Sequence, residues 1–147
     1  MEVVTTAHSA YKLEYHVVWV CKYRRRILKP GVCGYLRKVI PALIRSMPGV
    51  EMKQIGFDED HLHMVMTIPP KYSIAEVMGQ LKSQSASRMR KFFPWLEKVY
   101  WKENLVWSPG YFVSSVGVDE EVVREYVKYQ GRQDSGQLRL KLSARSA

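Results

Sequence analysis

The chain has 147 residues, a formal net charge of +9 and 46% hydrophobic residues. This length fits one domain with one core and excludes a large multidomain enzyme, since domains average roughly 100 to 200 residues. No run approaches the roughly 18 apolar residues that a membrane helix needs, so we expect no membrane partner. The surplus of Lys and Arg indicates a polyanionic partner, although charge alone does not distinguish DNA, RNA and acidic lipid.

Cysteine usage narrows the expected compartment. The sequence contains two cysteines, Cys21 and Cys33, without the paired spacing of a zinc site. No signal peptide precedes them, so we do not expect a secreted, disulfide-stabilised fold. We expect the protein to work in the reducing cytoplasm.

The first third of the chain predicts a strand followed by a helix. Residues 1–10 carry no periodic pattern and are expected to form a loose leader. Residues 11–23 are dense in Tyr, Val and Trp, which is typical of a strand. Apolar residues then recur at three- and four-residue spacing over residues 35–47, which predicts an amphipathic helix. Pro41 lies within this pattern and should kink or restart the helix, since proline lacks the amide donor.

The middle of the chain predicts a hairpin and a second helix. Residues 50–57 and 61–68 have strand composition, and the short acidic link between them predicts an antiparallel hairpin. Ser73 followed by Glu76 forms a capping box, which marks the start of a helix. One face of this helix is polar and basic, and the opposite face is expected to be buried. The expected buried residues are Ile74, Val77, Met78, Leu81, Met89 and Phe92.

The last third predicts a fourth strand and a final helix. Residues 111–117 have strand composition, and Asp119 is placed to cap a helix whose first turn is acidic, as the helix dipole favours. Gly131 is expected to end this helix. Residues 132–147 are polar, basic and aperiodic, so we expect a flexible tail after a single domain spanning residues 1–131.

The order of these elements predicts the fold class. Strand, helix, strand, strand, helix, strand is the order of the ferredoxin-like split βαβ fold, an α+β architecture. Two helices cover one face of a four-stranded antiparallel sheet, and the extra C-terminal helix is left over. The other sheet face is therefore available to a ligand or to the final helix.

Two histidines are expected on that open face. Side chains alternate along a strand, so the apolar set beginning at Leu62 faces the helices, and His61 and His63 project together from the other side. Neutral imidazoles this close together can bind one metal ion. Taken alone the pair is a weak signal, because an isolated His-x-His is more often an ordinary hydrogen-bonded surface histidine with a histidine neighbour.

The final helix carries a second pair of polar residues. Tyr126 and Gln130 are four residues apart and share one helix face. The alternative is that Tyr126 only packs between the helix and the sheet and that Gln130 is an ordinary exposed helical residue. If the helix docks on the open sheet face, Gln130 completes a ligand set with His61 and His63 that suits Mg²⁺ or Mn²⁺. Tyr126 can then attack a phosphate, after losing a proton whose ordinary pKa is about 10.

Four stretches occur in the order and spacing of a known family. They are Asp60-His61-Leu62-His63-Met64 and its continuation to Ser73, Tyr15-His16-Val17-Val18-Trp19 leading into Lys22-Tyr23-Arg24-Arg25-Arg26, Trp107-Ser108-Pro109-Gly110-Tyr111 and its continuation to Gly117, and Tyr126-Val127-Lys128-Tyr129-Gln130. Together they resemble the histidine-hydrophobe-histidine (HUH) single-tyrosine transposases of the insertion-sequence group numbered 200 and 605. The resemblance covers roughly residues 11–131.

This resemblance implies a homodimeric DNA transposase that recognises hairpins in single-stranded DNA. It implies Tyr126 as the nucleophile, with a 5′-phosphotyrosine and a free 3′-hydroxyl as products, and His61, His63 and Gln130 as ligands of Mg²⁺ or Mn²⁺. In that family the tyrosine helix can dock on the partner subunit. We expect a prokaryotic, nucleoid-associated protein without a small-molecule cofactor. Tyr129 is a second candidate nucleophile, but the helical-turn spacing to Gln130 favours Tyr126.

Phosphate contacts are expected from the basic cluster after the first strand and from the polar face of the second helix. A solvated face is the alternative for each of these side chains. Trp95, Trp101 and Trp107 are expected in the core or in an interface. The candidate DNA-binding residues are Lys22, Arg24, Arg25, Arg26, Lys82, Ser83, Ser87, Arg88 and Arg90.

Two other functions remain open from the sequence. A non-catalytic, RRM-like nucleic-acid-binding module shares the fold topology, but Gly110-Tyr111-Phe112-Val113 lacks the basic residue that the RRM motif has before its glycine. A replication-initiator or relaxase-type nickase would share the chemistry, but the chain has no room for a helicase domain. The hairpin sequence and the preferred ion are not predicted.

Overall fold

Six strands and four α-helices form the described part of the chain. The computed structural model describes the backbone of residues 4–5, 10–11, 13–101, 103–115, 117 and 119–146, and the side chains of residues 13–101, 103–115, 117 and 119–136. The elements are β1 Val4–Thr5, β2 Ala10–Tyr11, β3 Glu14–Val20, α1 Pro30–Ile44, β4 Glu51–Phe57, β5 His61–Thr67, α2 Ile74–Phe92, α3 Leu96–Val99, β6 Phe112–Ser114 and α4 Glu120–Ser146. A 3₁₀ turn, Lys22–Arg24, follows β3.

The main sheet has the strand order β4-β5-β3-β6, and every neighbouring pair is antiparallel. This is the ferredoxin-like arrangement predicted from the element order, and the predicted hairpin is the β4–β5 pair. Val18 in the centre of β3 lies opposite His63 on one side and Phe112 on the other. Directly opposed residues project from the same sheet face, so these three side chains form one row.

The helix-facing side of the sheet forms the core, as the alternation in β5 predicts. Leu62, Met64 and Met66 are fully buried with residues of α1 and α2. Trp19 on β3 donates a hydrogen bond from its indole Nε1 to Met78 Sδ, 3.4 Å away. Packing against α1 and α2 therefore fixes which face of β5 remains for the histidines.

The two core helices can be compared with the predictions at three places. Ser73 caps α2 by accepting from the Glu76 amide at 3.0 Å, as predicted. Of the kink or restart predicted at Pro41, the restart is wrong, because α1 runs unbroken from Pro30 to Ile44 with buried residues on both sides of the proline. Phe92 is not buried: 63% of it is exposed, and its ring stacks on Tyr35 with centroids 4.5 Å apart. It lies in the last turn of α2, where the helix has passed the core.

Helix α4 covers the sheet face opposite α1 and α2. Its start agrees with the prediction, since Asp119 Oδ1 accepts from the Val122 amide at 2.9 Å. The predicted end at Gly131 is wrong, because the helix continues to Ser146. Gly131 is buried against the Arg24 side chain, and Asp134 is buried against the 3₁₀ turn. These contacts outweigh the helix-breaking tendency of one glycine.

Two terminal predictions concern segments that are described only in part. Residues 1–3 and 6–9 of the expected leader are not described, whereas β1 and β2 pair as a short antiparallel ribbon. In the expected flexible tail the backbone of residues 132–146 continues α4, and the side chains of residues 137–147 are not described. Among the helices that are described, none has the length and apolar character required to cross a membrane.

Candidate active site

The histidine pair lies under α4, on the face that the sequence predicts. His61 and His63 are both partly buried on β5. A third histidine, His16 on β3, places its Nδ1 3.4 Å from His63 Nε2, and the two rings stack at 14°. No role for His16 was predictable from the sequence, because its proximity to His63, 47 residues away in the chain, depends on the register of two strands.

Asp60 orients His61. Asp60 Oδ1 lies 2.8 Å from His61 Nδ1, and the other carboxylate oxygen accepts from Arg24 Nε at 3.1 Å. The hydrogen bond to His61 is the main cause that lowers the pKa of Asp60, and Arg24 adds to the effect. A carboxylate that accepts from one imidazole nitrogen holds the ring and leaves Nε2 for a ligand, as in many metal sites.

His63 is biased toward its neutral form. Burial is the main cause that lowers its pKa, and the nearby His16 and His61 add to it. Only a neutral imidazole has a lone pair with which to bind a metal ion. His63 therefore favours the protonation state that binding a cation requires.

A cavity of about 530 Å³ lies between the histidines and α4. Acidic and basic groups surround it, and Val123 and Val127 of α4 form its apolar wall. It is large enough for a phosphodiester group, which makes it the place where a substrate can reach the imidazoles. The lining residues are Arg24, Arg26, Asp58, Glu59, Asp60, His61, His63, Asp119, Glu120, Val123, Arg124 and Val127.

Tyr126 lies on α4 beside the edge of the sheet. Its ring centroid is 5.5 Å from that of Phe112, and its hydroxyl donates to Gln130 Oε1 at 3.5 Å. Phe112 lies in the same row as His63, two strand spacings or roughly 10 Å away. Burial is the main cause that raises the pKa of Tyr126 to about 12, and the charges of Asp134 and Tyr129 add to it.

Gln130 joins Tyr126 but is not hydrogen-bonded to the histidines. Within the described part of the chain, its amide accepts from Tyr126 and donates from Nε2 to Asp134 Oδ1 at 3.3 Å. The structure thus assembles two pairs, the imidazoles on β5 and the Tyr126–Gln130 pair on α4, on facing surfaces. Tyr129 is 51% exposed, so it faces away from the interface between α4 and the sheet.

A metal ion would need ligands from both pairs. Among the described residues, no group of three or more His, Cys, Asp and Glu side chains is arranged to hold one. Two imidazole nitrogens and an amide oxygen are nevertheless a suitable donor set, and the Asp60–His61 bond supplies the outer contact typical of such sites. The available residues therefore fit a cation when Gln130 completes the set.

A basic cleft adjoins the histidine cavity between the 3₁₀ turn and α4. Its volume is about 790 Å³, and Arg24 and Arg26 line it together with Lys128 and Arg132 of α4. Arg24 adopts a left-handed backbone with φ of 52°. Arg132 was not predicted to bind DNA because it lies beyond the expected helix end at Gly131. Lys128 lies within the predicted helix, but only the packing of α4 beside the 3₁₀ turn places it in the cleft.

The other residues of the 3₁₀ segment are placed differently. The Lys22 side chain is only 6% exposed, and its ammonium lies 3.4 Å from Asp134 Oδ1. Its charge is directed into the interior, which does not fit the predicted direct phosphate contact. The guanidinium of Arg25 lies 5.3 Å from the centre of the Trp101 ring. Arg24 and Arg26 are therefore the exposed cations of this segment.

The predicted polar face of α2 is real, but Lys82 has a structural partner there. Its ammonium donates to the carbonyls of Ser108, at 2.6 Å, and Gly110, and burial lowers its pKa to about 8. Ser83 and Arg90 line a groove beside these carbonyls, and Ser87 and Arg90 line a neighbouring one. Arg88 is exposed.

The tryptophans divide between core and surface. Trp107 is buried, as predicted, and donates from Nε1 to Ser85 Oγ at 3.1 Å. Trp95 and Trp101 are 38% and 48% exposed, so neither is a core residue.

The chain belongs to the family described as Transposase IS200 like, whose pattern matches residues 9–130. It is 32% identical over 133 residues to the transposase for insertion sequence element IS200 of Salmonella typhimurium, covering 87% of this chain and 83% of the relative. It is 31% identical over 121 residues to the ISDra2 transposase TnpA of Deinococcus radiodurans, covering 82% and 85%.

Two solved structures share the fold. A putative transposase from Deinococcus radiodurans superposes with a TM-score of 0.75 at 28% identity, covering 86% of this chain and 97% of that one. A REP-associated tyrosine transposase bound to a REP hairpin superposes with a TM-score of 0.50 at 17% identity, covering 85% and 70%, and it supports the fold alone.

Family membership establishes the enzyme class. The chain is an IS200-like transposase, and transposases cleave DNA and transfer strands. This result favours a transposase over the RRM-like module and the replication-type nickase.

Proposed function

We propose that this transposase cleaves and rejoins single-stranded DNA by transesterification through Tyr126. The Tyr126 oxygen attacks the scissile phosphorus, the bond from phosphorus to the 3′ oxygen breaks, and the 3′ oxygen takes up a proton. The products are a 5′-phosphotyrosine and a free 3′-hydroxyl. A 3′-hydroxyl of another strand reverses these steps and regenerates the tyrosine, so that strands are exchanged without ATP.

The observation that carries this proposal is the Tyr126–Gln130 pair on the helix that covers the histidine face. The hydroxyl is partly buried, and its pKa of about 12 keeps it protonated at neutral pH. Attack therefore requires that a base or water remove the proton in or before the transition state. Gln130 Oε1 accepts the hydrogen bond of this hydroxyl and thereby directs it, although an amide cannot retain the proton.

The proposed ligands of Mg²⁺ or Mn²⁺ are His61, His63 and Gln130. When bound, the cation supplies charge stabilisation for the scissile phosphate and its transition state. Asp60 holds His61 in the orientation that leaves Nε2 available, and burial keeps His63 neutral. Catalysis would require the Tyr126–Gln130 pair to approach the histidines, within one chain or across a homodimer.

The proposed DNA partner is single-stranded and carries a hairpin, as the resemblance to the HUH single-tyrosine transposases implies; the REP-associated transposase is a structural neighbour that binds a hairpin. Arg24, Arg26, Lys128 and Arg132 line the cleft beside the histidine cavity. Both cavities share Arg24, Arg26 and Asp60 in their walls. A strand whose phosphates follow these cations would bring its next phosphate to the imidazoles, since phosphate contacts set the register of bound DNA.

A covalent adduct assay tests the proposal. The protein is incubated with a labelled hairpin oligonucleotide and Mn²⁺, then denatured and separated by size. The wild-type protein should retain label, and Tyr126→Phe should retain none. Tyr129→Phe is the matched control, because it removes the same hydroxyl from an exposed position on the same helix, and it should retain label.

The variants distinguish the two candidate nucleophiles and test the proposed metal ligands. An adduct that survives Tyr126→Phe but not Tyr129→Phe would move the nucleophile to Tyr129. His61→Ala and His63→Ala should each lose adduct formation but still bind the hairpin in a gel-shift assay. Full adduct formation by either variant would refute the proposed metal ligands.

A further inference from the structure

Asp134 is a fully buried carboxylate that the proposed chemistry does not use. Oδ2 accepts from the Tyr23 amide at 2.9 Å and from the Ser108 hydroxyl, and Oδ1 accepts from Lys22 Nζ at 3.4 Å and from Gln130 Nε2 at 3.3 Å. A carboxylate offers about four acceptor positions. Asp134 is therefore saturated with donors, and one of these donors is the amide of the proposed metal ligand.

This contact decides which way the Gln130 amide faces. A side-chain amide has a donating NH₂ end and an accepting oxygen end of nearly equal size, so its neighbours determine its orientation. A carboxylate only accepts, which requires the NH₂ end to face Asp134. The oxygen is then directed to the opposite side, where it accepts from the Tyr126 hydroxyl. A flipped amide would direct NH₂ toward Tyr126.

The orientation matters because only the oxygen of an amide binds a metal ion. Gln130 is buried, as is Val127 one helical turn earlier on α4. Val127 lines the histidine cavity. An amide oxygen directed away from Asp134 is available to bind a cation between α4 and the sheet. An NH₂ group in its place would repel the cation.

We infer that Asp134 is a positioning residue, which acts through Gln130 to present the amide oxygen to the metal site and to Tyr126. This inference rests on the proposed ligand role of Gln130. Contacts of this kind with a ligand typically change metal affinity by about 10- to 100-fold when removed. The dependence on Asp134 should therefore be visible in metal binding without DNA and without turnover.

The test compares Mn²⁺ affinities, measured from the free-ion signal in electron paramagnetic resonance. The variant Lys22→Met/Asp134→Leu removes the carboxylate together with its buried ammonium partner, because replacing both members of a buried ion pair by apolar groups is often neutral for folding. We expect its Mn²⁺ affinity to fall about 10- to 100-fold. Ser108→Ala keeps the Asp134–Gln130 bond and should bind Mn²⁺ like the wild type.

A rescue variant separates orientation from general damage. In the Lys22→Met/Asp134→Leu background, Gln130→Glu supplies an oxygen whichever way the group turns, so it should restore affinity. In the wild-type background, Gln130→Glu places a second carboxylate beside that of Asp134. We therefore do not expect it to raise the Mn²⁺ affinity by a similar factor. A purely structural role for Asp134 predicts no rescue. Circular dichroism confirms that each variant is folded.

Failure of the inference and failure of the proposed function give different results. Gln130→Ala should weaken Mn²⁺ binding if Gln130 is a ligand. If it does so while Lys22→Met/Asp134→Leu binds Mn²⁺ normally, the positioning role is overturned and the ligand set stands. If Gln130→Ala leaves the affinity unchanged, the ligand set is refuted, and the role of Asp134 is refuted with it.

Discussion

Gly131 lies where α4 presses against the side chain of Arg24, and alanine at this position tests how closely the two segments pack. An added Cβ would lie 2.8 Å from Arg24 Cγ and closer still to Cδ, whereas ordinary carbon contacts are about 3.5 to 4.0 Å. Gly136, five residues later in the same helix, provides the matched control. A Cβ there meets none of the described atoms within 4 Å.

Gly131→Ala should be less stable than Gly136→Ala. Replacing glycine by alanine inside a helix contributes about 0.5 to 1 kcal/mol of stability, and Gly136→Ala should gain this amount. Gly131→Ala gains the same helix term but also overpacks the contact with Arg24, which costs about 1 to 3 kcal/mol. For a chain of this size, 1 kcal/mol corresponds to about 2 to 4 °C in Tm. Gly131→Ala should therefore melt several degrees below Gly136→Ala.

Thermal melting followed by circular dichroism measures the difference. Relief of the overlap requires Arg24 to move away from Asp60, with which it forms a 3.1 Å hydrogen bond. The double variant Gly131→Ala/Arg24→Ala should consequently recover most of the lost Tm. The packing argument would be refuted if Gly131→Ala melted at the temperature of Gly136→Ala.

Two pH dependences follow from the site. Because the pKa of Asp60 is lowered on folding, its stabilising effect is present above the unfolded value of about 3.9 and is lost as pH falls through the folded value. Asp60→Asn should thus lose less stability than the wild type on acidification in urea titrations, and equal losses would contradict this. Because burial raises the pKa of Tyr126 to about 12, the rate of adduct formation should keep rising with pH beyond the ordinary tyrosine pKa of about 10. A plateau near neutral pH would assign proton removal to another group.

Short-range patterns determined most of the fold and the position of the histidines. The alternation of side chains in β5 is a property of any strand, so the apolar character of Leu62, Met64 and Met66 was enough to predict the face on which His61 and His63 lie. The caps at Ser73 and Asp119 involve residues only three positions apart. Such features are local, and the sequence contains all of their parts.

The length of α4 was not predictable in the same way. Glycine favours a helix end by local propensity, and Gly131 was interpreted accordingly. The helix continues because Asp134 is bound by Lys22, which is 112 residues away in the chain. A long-range buried contact of this kind leaves no periodic signal. The same limit hid Arg132 as a wall of the basic cleft.

By itself, then, the sequence determined the order of elements, the helix caps, the open sheet face and the residues able to carry the chemistry, because each follows from periodicity or from a short motif. Only the tertiary structure decided how those residues are connected. It brought His16 to His63 through strand register, turned Lys22 into the interior and placed Asp134 behind Gln130. These relations depend on packing between segments far apart in the chain, which no local pattern encodes.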